Sequence, residues 1–583
     1  MIKKLAGSIR QYRRATILTP LSMMAEVILE VILPLVMADL IDNGISGQSA
    51  TVIWRDGALL VLIAVLSLLS GVAGAVFGAR ASTGFARNLR HDMYYRVQDF
   101  SFSNIDRFST SSLVTRMTTD VTHVQNAFQM LIRMAARGPL MLIFSMVMSF
   151  AINARLATVF LFAVPILGAG LAYVSTHAHP VFRQMFKTFD RLNCVVQENV
   201  RGMRVVKSFV REDHECGKFH EVSGRVCELS SKAERILALN SPFMQFAMYG
   251  CTLLISWFGA KMIVNTSGLP NGMTTGELNS LLTYSMQVLS SLMMLSFVFV
   301  MLTISRASAE RICEVLGEES TLSSPEGALT AVKDGSVEFE NVSFSYAGDQ
   351  SRPCLEGVSL RVKAGETIGV IGGTGAGKTT LVQLIPRLYD VTSGRVRVGG
   401  EDVRRYDLTT LRSEVAMVLQ KNVLFSGTIR ENLLWGNPDA TMDEMIEACR
   451  LAEAHEFIQS FPEGYETFVE QGGANVSGGQ KQRLCIARAI LKRPKILILD
   501  DSTSAVDTRT DARIRAAMRT VIPGTTKFII AQRVASVMDA DRIIVLDGGR
   551  VNGFGTHDEL MKTNKIYREV YESQTKGGDA DDR

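Results

Sequence analysis

The residues whose types and spacing most clearly indicate chemistry lie between Gly369 and Thr380. Four residues separate Gly372 from Gly377-Lys378-Thr379, which is the spacing of a phosphate-binding loop. An apolar strand pattern precedes the loop and a helical pattern follows it, so backbone N–H groups and the helix N-terminus would attract phosphates. Lys378 would reach the β- and γ-phosphates and the Thr379 hydroxyl would bind Mg²⁺. The residues predicted to hold ATP are Gly372, Gly373, Thr374, Gly375, Ala376, Gly377, Lys378, Thr379 and Thr380.

The bulk composition indicates several domains and a membrane-embedded part. The chain has 583 residues, too many for one core, and 47% are hydrophobic, with the excess in the first half. A net charge of +4 without a basic stripe argues against a nucleic-acid-binding protein. The 8 cysteines show neither paired nor zinc-type spacing, so reduced thiols are expected. The first apolar stretch is too long for a cleavable signal peptide.

Apolar stretches of about 20 residues, the length that crosses a bilayer as a helix, occur six times in the first half. The predicted spans are Ile17–Ile41, Gly57–Gly78, Ala127–Ile152, Leu156–Ser175, Ser241–Val264 and Leu278–Ser305. Basic residues precede the first span, so the positive-inside rule places the N-terminus in the cytoplasm. An even number of spans then returns the chain to the cytoplasm near Arg306, beside the predicted ATPase. The loops between spans are short outside, whereas inside segments 80–126 and 176–240 keep a helical apolar period and predict helices that extend beyond the membrane.

Polar and flexible side chains inside the spans suggest a substrate cavity. Glu26 and Glu30 share one face of the first span, where a charge must meet water or a partner. They would either recognise cationic substrates or form a structural ion pair with Arg133 or Arg137, and the sequence favours the ion pair. Met286 and Met293 lie on one side of the sixth span, with Met294 and Met301, and indicate either a polyspecific apolar pocket or ordinary helix packing.

The second half alternates strand and helix patterns and carries further motifs in a fixed order. The buried-strand run Lys495–Asp500 ends in an acid that would hold Mg²⁺ through water. Ser477-Gly478-Gly479-Gln480 precedes an apolar helical run and predicts a second helix N-terminus able to bind an anion. The predicted parts are a membrane domain (1–310), a linker (311–334), an α/β nucleotide-binding domain (335–575) and a disordered tail (576–583).

With Val476 before it, this second motif resembles the L-S-G-G-Q signature of ATP-binding cassette (ABC) transporters, and the resemblance extends over nearly the whole chain. It implies that Tyr346 stacks on adenine, although a core tyrosine is the alternative, and that Gln420 contacts Mg²⁺ and the attacking water. It also implies that Ser477, Gly478, Gly479 and Gln480 meet the ATP of a partner subunit. Asp500 then corresponds to the Walker B aspartate and Asp507 closes the D-loop at 502–507. Segments 106–121 and 197–212 resemble the loops that carry coupling helices, although each alone would fit a charged helical hairpin.

Two positions depart from this family pattern. Asp501 stands where the family has the glutamate that acts as general base, and Gln532 stands where it has a histidine bonded to the γ-phosphate and water. A carboxylate one methylene shorter would lose reach, and such a loss is expected to cost roughly 10²–10⁴ in rate. An amide still donates a hydrogen bond but cannot carry positive charge. The residues that bind ATP are retained, so the sequence predicts a site that binds ATP and hydrolyses it slowly.

These patterns predict one half of a multi-pass exporter in the cytoplasmic membrane, with ATP and Mg²⁺ as cofactors. A sister chain with the glutamate and histidine is the expected partner, as in the degenerate-site subunit of bacterial heterodimeric multidrug exporters, and a homodimer is the alternative. Amphipathic drugs are the first substrate class, and lipids or peptides the second. A nucleotide-gated channel or regulatory subunit remains open, whereas a soluble cassette acting on nucleic acid is opposed by the six spans.

Overall fold

The computed structural model describes residues 1–266, 272–346, 353–501 and 506–578. The chain forms two compact units. The first comprises Met1–Gln98 and Ser109–Glu318, and the second comprises Asp99–Phe108 and Glu319–Arg583. The short segment Asp99–Phe108 therefore belongs with the second unit, although the sequence on both sides of it belongs to the first.

The first unit is helical. Its helices are α1 (Ile2–Ala6), α2 (Arg13–Asp39), α3 (Ala50–Gln98), α5 (Thr110–Thr115), α6 (Val121–Ile152), α7 (Ala154–Ser208), α8 (Glu212–Ala238), α9 (Asn240–Thr266) and α10 (Thr275–Gly317), and α4 (Phe102–Arg107) is the short helix of the other unit. In the described part of the chain, five helical stretches are long and apolar enough to cross a membrane, and residues 154–170 form a shorter apolar stretch. The predicted helical membrane domain is confirmed. The fourth predicted span, Leu156–Ser175, lies within α7, and the side chains of a few of its residues are not described.

Several of these helices are much longer than a bilayer is thick. Helix α3 has 49 residues and α7 has 55. At 1.5 Å per residue, each is roughly 70–80 Å long, whereas the hydrocarbon core measures about 30 Å. These helices therefore continue well beyond a membrane, as the inside segments predicted.

A proline in the first span is compensated by contacts from α10. Pro34 lies inside α2 and has no N–H, so the carbonyl of Glu30 loses its helical donor. The amide of Gln287 donates to this carbonyl at 3.4 Å, and the Tyr284 hydroxyl donates to the carbonyl of Val31 at 2.6 Å. Since exposed backbone carbonyls are costly in lipid, these bonds favour packing of α10 against α2.

The second unit is an α/β fold, as predicted. Its strands are β1 (Val337–Phe344), β2 (Leu355–Val362), β3 (Thr367–Gly372), β4 (Ser393–Val398), β5 (Glu401–Asp402), β6 (Val415–Val418), β7 (Gly427–Thr428), β8 (Phe468–Val469), β9 (Ile496–Asp500), β10 (Thr526–Ile530), β11 (Arg542–Asp547) and β12 (Arg550–Gly555). Its other helices are α11 (Lys378–Gln383), α12 (Leu408–Glu414), α13 (Ile429–Leu434), α14 (Met442–Leu451), α15 (His455–Ser460), α16 (Gly478–Leu491), α17 (Thr508–Val521), α18 (His557–Thr563) and α19 (Lys565–Gly578).

The strands form two main sheets. An antiparallel sheet has the order β2-β1-β4-β5, and a six-stranded sheet has the order β12-β11-β3-β10-β9-β6. In the larger sheet, β11, β3, β10, β9 and β6 run parallel, with β12 antiparallel at the edge. Buried strands β9 and β10 have every residue inside, so apolar cores cover both faces. Because ligands bind beyond the carboxyl ends of parallel strands, the edge where β3, β10, β9 and β6 end is the expected site.

Candidate nucleotide site

The phosphate loop joins β3 to α11 and has an open backbone cradle. Gly375 and Gly377 adopt φ values of +82° and +90°, which favour glycine. A Cβ at Gly377 would lie 2.7 Å from the carbonyl oxygen of Cys354, whereas a Cβ at Gly373 would meet open space. The Lys378 ammonium donates to the carbonyls of Gly372 and Gly373 at 2.8 and 2.9 Å, so it curls over the loop. Burial lowers the pKa of Lys378, and the nearby aspartates 500 and 501 oppose that shift.

The oxygen groups predicted to hold Mg²⁺ lie together. The Thr379 hydroxyl, in the first turn of α11, donates to Oδ1 of Asp500 at 3.1 Å. Asp500 ends β9 and is 2% exposed, and burial raises the pKa of its carboxyl group while the bond from Thr379 opposes this. A hydroxyl beside a buried carboxylate is the hard oxygen donor set that Mg²⁺ prefers. The cradle, Lys378 and this pair therefore fit ATP with its magnesium ion.

The three residues predicted to act on the attacking water meet at the same edge. Asp501 follows β9, Gln532 follows β10 and Gln420 follows β6, so neighbouring parallel strands deliver them. Oδ2 of Asp501 accepts a hydrogen bond from Nε2 of Gln532 at 2.7 Å and another from Nε2 of Gln420 at 3.4 Å. The backbone of Asp501 has φ +47°, a region that aspartate tolerates better than most residues. Both amides thus donate to a single carboxylate oxygen.

Tyr346 lies beside the phosphate loop with half of its surface exposed. Its hydroxyl is 3.1 Å from the Thr380 hydroxyl and donates to Gln383 at 3.1 Å, both on α11. The rings of Phe344 and Tyr389 pack edge-on against it, with centroids 4.9 and 5.1 Å away. An exposure of 49% does not fit the alternative of a core tyrosine. These edge-on contacts fix the orientation of the Tyr346 ring. Its stacking on adenine stays a prediction.

The signature residues form a helix start. Ser477 is the N-cap of α16; its hydroxyl accepts from the Gln480 N–H at 3.3 Å, and the Gln480 side chain accepts from the Ser477 N–H at 3.0 Å. Gly478 and Gly479 follow in the first turn. The valine that replaces the family's leucine, Val476, is 8% exposed and packs in the core. Residues 502–505 of the predicted D-loop (502–507) lie outside the described residues, whereas Asp507 caps α17 by accepting from the Thr510 N–H at 2.9 Å.

The start of the segment that resembles the first coupling loop, residues 106–108, lies within the second unit, together with the preceding helix α4. Helix α4 is a separate helix of 6 residues and not part of a continuous hairpin. Asp106 accepts a hydrogen bond from the Tyr389 hydroxyl at 2.6 Å, and the ring of Phe102 lies 6.0 Å from that of Tyr389. Burial and Asp106 raise the pKa of Tyr389, so its hydroxyl stays a donor. Sequence reasoning did not single out Tyr389, because a contact across 283 positions leaves no local pattern.

The acidic pair of the first span is ion-paired, as the structural alternative expected. Arg137 on α6 binds Glu26 at 3.1 Å and Glu30 at 2.7 Å. A cleft of about 460 Å³ beside them is lined by Glu30, Leu33, Pro34, Arg137, Gly138, Met141, Thr283, Met286, Gln287, Ser290, Ser291 and Met294. Met293 is 47% exposed and, like Glu26, is absent from this lining, which belongs to the described residues of the first unit.

A helical multi-span membrane domain joined to a phosphate-loop ATPase with this signature defines an exporter of the half-transporter class. The chain belongs to the ABC transporter family: the family model described as ABC transporter transmembrane region matches residues 16–304, and the one described as ABC transporter matches residues 355–504. It is therefore a multi-span membrane protein with an ATP-hydrolysing translocase domain, and ABC exporters function as dimers.

Relatives and a solved structure match along most of the chain. "Uncharacterized ABC transporter ATP-binding protein YfiB" of Bacillus subtilis (strain 168) is 38% identical over 95% of both chains. "Putative multidrug export ATP-binding/permease protein YgaD" of the same organism is 31% identical over 98% of this chain and 99% of its own. A "Fatty acid ABC transporter ATP-binding/permease protein" of Mycobacterium bovis is 34% identical over 83% of this chain and 75% of its own. A bacterial Atm1-family ABC exporter solved with ATP bound superposes with a TM-score of 0.81 and 26% sequence identity. The match covers 97% of this chain and 98% of the exporter chain.

Proposed function

We propose that this chain is one half of a heterodimeric exporter of amphipathic compounds, and that its own ATP site binds nucleotide but hydrolyses it slowly. The observation that carries the proposal is the contact between Asp501 and Gln532 at 2.7 Å, at the two positions where the family has glutamate and histidine. The residues predicted to bind ATP and Mg²⁺, which are Tyr346, Lys378, Thr379 and Asp500, match the family pattern.

The binding residues act on separate parts of the nucleotide. The backbone N–H groups at 373–378 and the Lys378 ammonium would hold the phosphates, and Thr379 with Asp500 would hold the magnesium ion. Tyr346 would stack on the adenine. When bound, ATP supplies the free energy that drives the transport cycle.

Slow hydrolysis follows from the reach and the occupancy of Asp501. A general base must lie about 2.6–3.2 Å from the proton donor. Aspartate is shorter than glutamate by one C–C bond, about 1.5 Å, and its Oδ2 already accepts bonds from Gln532 and Gln420. The acceptor is thus both short of the position that a glutamate would reach and engaged by two amides.

A different partner chain restores one competent site. Ser477 keeps the capped helix start that would serve the ATP of the opposite subunit, so this chain would contribute a nearly intact signature to that other site. Two copies of this chain would pair two such signatures with two slow sites. A sister chain with glutamate and histidine would give the dimer one site for hydrolysis and one for prolonged binding.

The substrate class is argued from the cleft in the first unit. Its wall combines the thioethers of Met286, Met294 and Met141 with the polar groups of Glu30 and Arg137. Thioether walls adapt to varied apolar shapes, while the charged pair in the same lining suits a polar head. The name of YgaD describes multidrug export, which supports drugs; the fatty-acid name of the Mycobacterium bovis relative supports lipids as the second candidate.

The proposal of a slow site is tested on the purified complex. The tagged chain is isolated from its native membrane with whatever chain accompanies it, and the complex is photolabelled with 8-azido-[α-³²P]ATP at intervals during turnover. Parallel samples are labelled with 8-azido-[γ-³²P]ATP, and the ratio of γ-label to α-label in each chain's band on a denaturing gel gives the proportion of bound nucleotide that remains triphosphate. We expect a second chain of similar size, with this chain retaining triphosphate at least 10-fold longer than its partner. Equal rates on both chains, or isolation of a briskly hydrolysing homodimer, would refute the proposal.

The substrate class is tested in vesicles containing the complex. A pump concentrates an amphipathic dye against its gradient when ATP is supplied outside, whereas a channel only lets ions pass downhill. Cationic dyes, fluorescent fatty acids and a labelled peptide are compared at equal concentration. ATP-dependent accumulation of the dye supports drug export, accumulation of the fatty acid alone selects the lipid candidate, and ATP-gated ion current without accumulation refutes export by this complex.

A further inference from the structure

A single side chain near the C-terminal end of the described chain holds the loop that carries Gln532. Gln574, on α19, donates from Nε2 to the carbonyl of Gln532 at 2.9 Å and accepts at Oε1 from the N–H of Val534 at 2.8 Å. Both ends of one side-chain amide thus bind the backbone on either side of Arg533. This pair of bonds imitates the next step of a β-ladder.

The loop needs such support because the sheet has ended. The N–H of Ala531 still donates to the carbonyl of Val370 on β3, at 3.3 Å. Beyond this residue, the Gln532 carbonyl and the Val534 N–H are bonded to Gln574, and the next turn begins at Val534. The side chain of Gln532 leaves this held backbone and reaches Asp501 at 2.7 Å. A shift of the loop would therefore move the Gln532 amide relative to Asp501 and to the edge of the sheet where β9 and β10 end.

Helix α19 does not depend on Gln574 for its own anchoring. Tyr567 in its first turn is fully buried, and its hydroxyl is 2.7 Å from Nδ1 of His557. Val570 and Tyr571 pack against the apolar core. Gln574 lies farther along the helix, is exposed, and makes its side-chain bonds to the loop. Loss of its amide should leave the helix docked.

We propose that Gln574 is a positioning residue that holds Gln532 toward the γ-phosphate of ATP bound at this chain's own site. This inference rests on the proposed function only in taking Gln532 as the residue that faces the γ-phosphate. ADP lacks the γ-phosphate. The pair of hydrogen bonds made by Gln574, which we call the clamp, therefore contributes to the preference of this site for ATP over ADP. Because the clamp is exposed to water, which competes for both hydrogen bonds, its loss should change this preference several-fold and not by orders of magnitude.

The test measures nucleotide preference, not hydrolysis. The complete complex in lipid nanodiscs is labelled at about 4 °C with 8-azido-[α-³²P]ATP and Mg²⁺, and ATP or ADP competes for labelling of this chain, read from its own gel band. With Gln574→Ala, we expect ATP to compete roughly 3- to 10-fold less well while ADP competes unchanged. Gln574→Glu keeps an acceptor for Val534 but no donor for the Gln532 carbonyl, and should shift the preference in the same direction.

Control variants separate positioning from a general structural role. Thr575→Ala, on the next residue of α19, removes a hydroxyl that donates within the helix to the Tyr571 carbonyl, and should change neither competition. In a Gln532→Ala background, Gln574→Ala should have no further effect, because there is no side chain left to position. Equal weakening for ATP and ADP, an undiminished effect in that background, or no effect at all would overturn the proposal. Fast hydrolysis at this site would refute the slow-site proposal alone and leave these competition results intact.

Discussion

Restoring the family's glutamate and histidine together should accelerate hydrolysis at this chain's own site about 100-fold, since a misplacement of about 1 Å costs roughly 10² in rate. Asp501→Glu supplies the missing 1.5 Å or so of reach. Gln532→His removes the amide that now occupies Oδ2 of residue 501 at 2.7 Å and supplies an imidazole that can carry charge. The binding residues Lys378, Thr379 and Asp500 stay unchanged.

The structure predicts that the two substitutions are coupled. Because the Gln532 amide already lies in hydrogen-bond contact with the Asp501 carboxylate, a longer glutamate alone would have to enter the space of that amide. Asp501→Glu alone should therefore gain less than 10-fold, and Gln532→His alone should gain little because the carboxylate still falls short. In contacting residues such non-additive effects are expected.

The assay follows the proportion of triphosphate photolabel on this chain within the purified complex, so the partner's turnover does not obscure the result. Asp501→Asn is the matched control: it keeps the size of aspartate, removes the base, and should slow even the residual hydrolysis. A double variant that hydrolyses no faster than the native chain, with ATP affinity retained, would refute the argument that reach and imidazole limit this site. Unchanged hydrolysis in Asp501→Asn would show that Asp501 is not the residual base.

Further changes give separate expectations. Ser477→Ala should cost about 1 kcal/mol of stability as a lost N-cap and slow hydrolysis on the partner's band; Thr556→Ala, which removes an equivalent capping box on α18, should match the stability loss and leave hydrolysis unaffected. Tyr389→Phe should reduce substrate-stimulated ATPase activity about 2- to 5-fold by removing one hydrogen bond to Asp106, with basal activity retained, and equal loss of both activities would contradict this. Arg137→Ala should destabilise the first unit by about 3 kcal/mol in thermal unfolding because two carboxylates lose their partner; additional Glu26→Gln and Glu30→Gln changes should recover most of that loss, and no recovery would show that Arg137 acts through packing.

Much of the ATP site was predictable because its motifs are local. The spacing of Gly372, Gly377 and Lys378 specifies a turn between a strand and a helix, and the structure has that turn. The apolar run before Asp500 specifies a buried strand that ends in a carboxylate. Ser477 with Gln480 specifies a capping box, and the cap is present. In each case a few neighbouring residues determine the backbone conformation without help from distant parts of the chain.

Long-range contacts could not be predicted from such patterns. The sequence offered Arg133 and Arg137 equally as partners of Glu26, and only helix packing selects Arg137. No local pattern joins Tyr389 to Asp106 or Gln574 to Gln532. The Asp501–Gln532 contact is intermediate: both departures were visible in the sequence, but their direct hydrogen bond depends on β9 and β10 being neighbours in the sheet.

That strand order also explains how binding and hydrolysis can change independently in one site. The phosphate cradle and Lys378 depend on β3 and α11, whereas Asp501, Gln532 and Gln420 come from the ends of β9, β10 and β6. A side-chain substitution beyond the end of β9 or β10 leaves the cradle backbone untouched, since β3 continues to pair with β10 through Thr367–Val370. Asp500 connects the binding residues with the hydrolytic residues, because it is buried, accepts a hydrogen bond from Thr379 on α11 and directly precedes Asp501. Retention of Asp500 beside a changed Asp501 is therefore the arrangement expected under the proposal that this site binds ATP and hydrolyses it slowly.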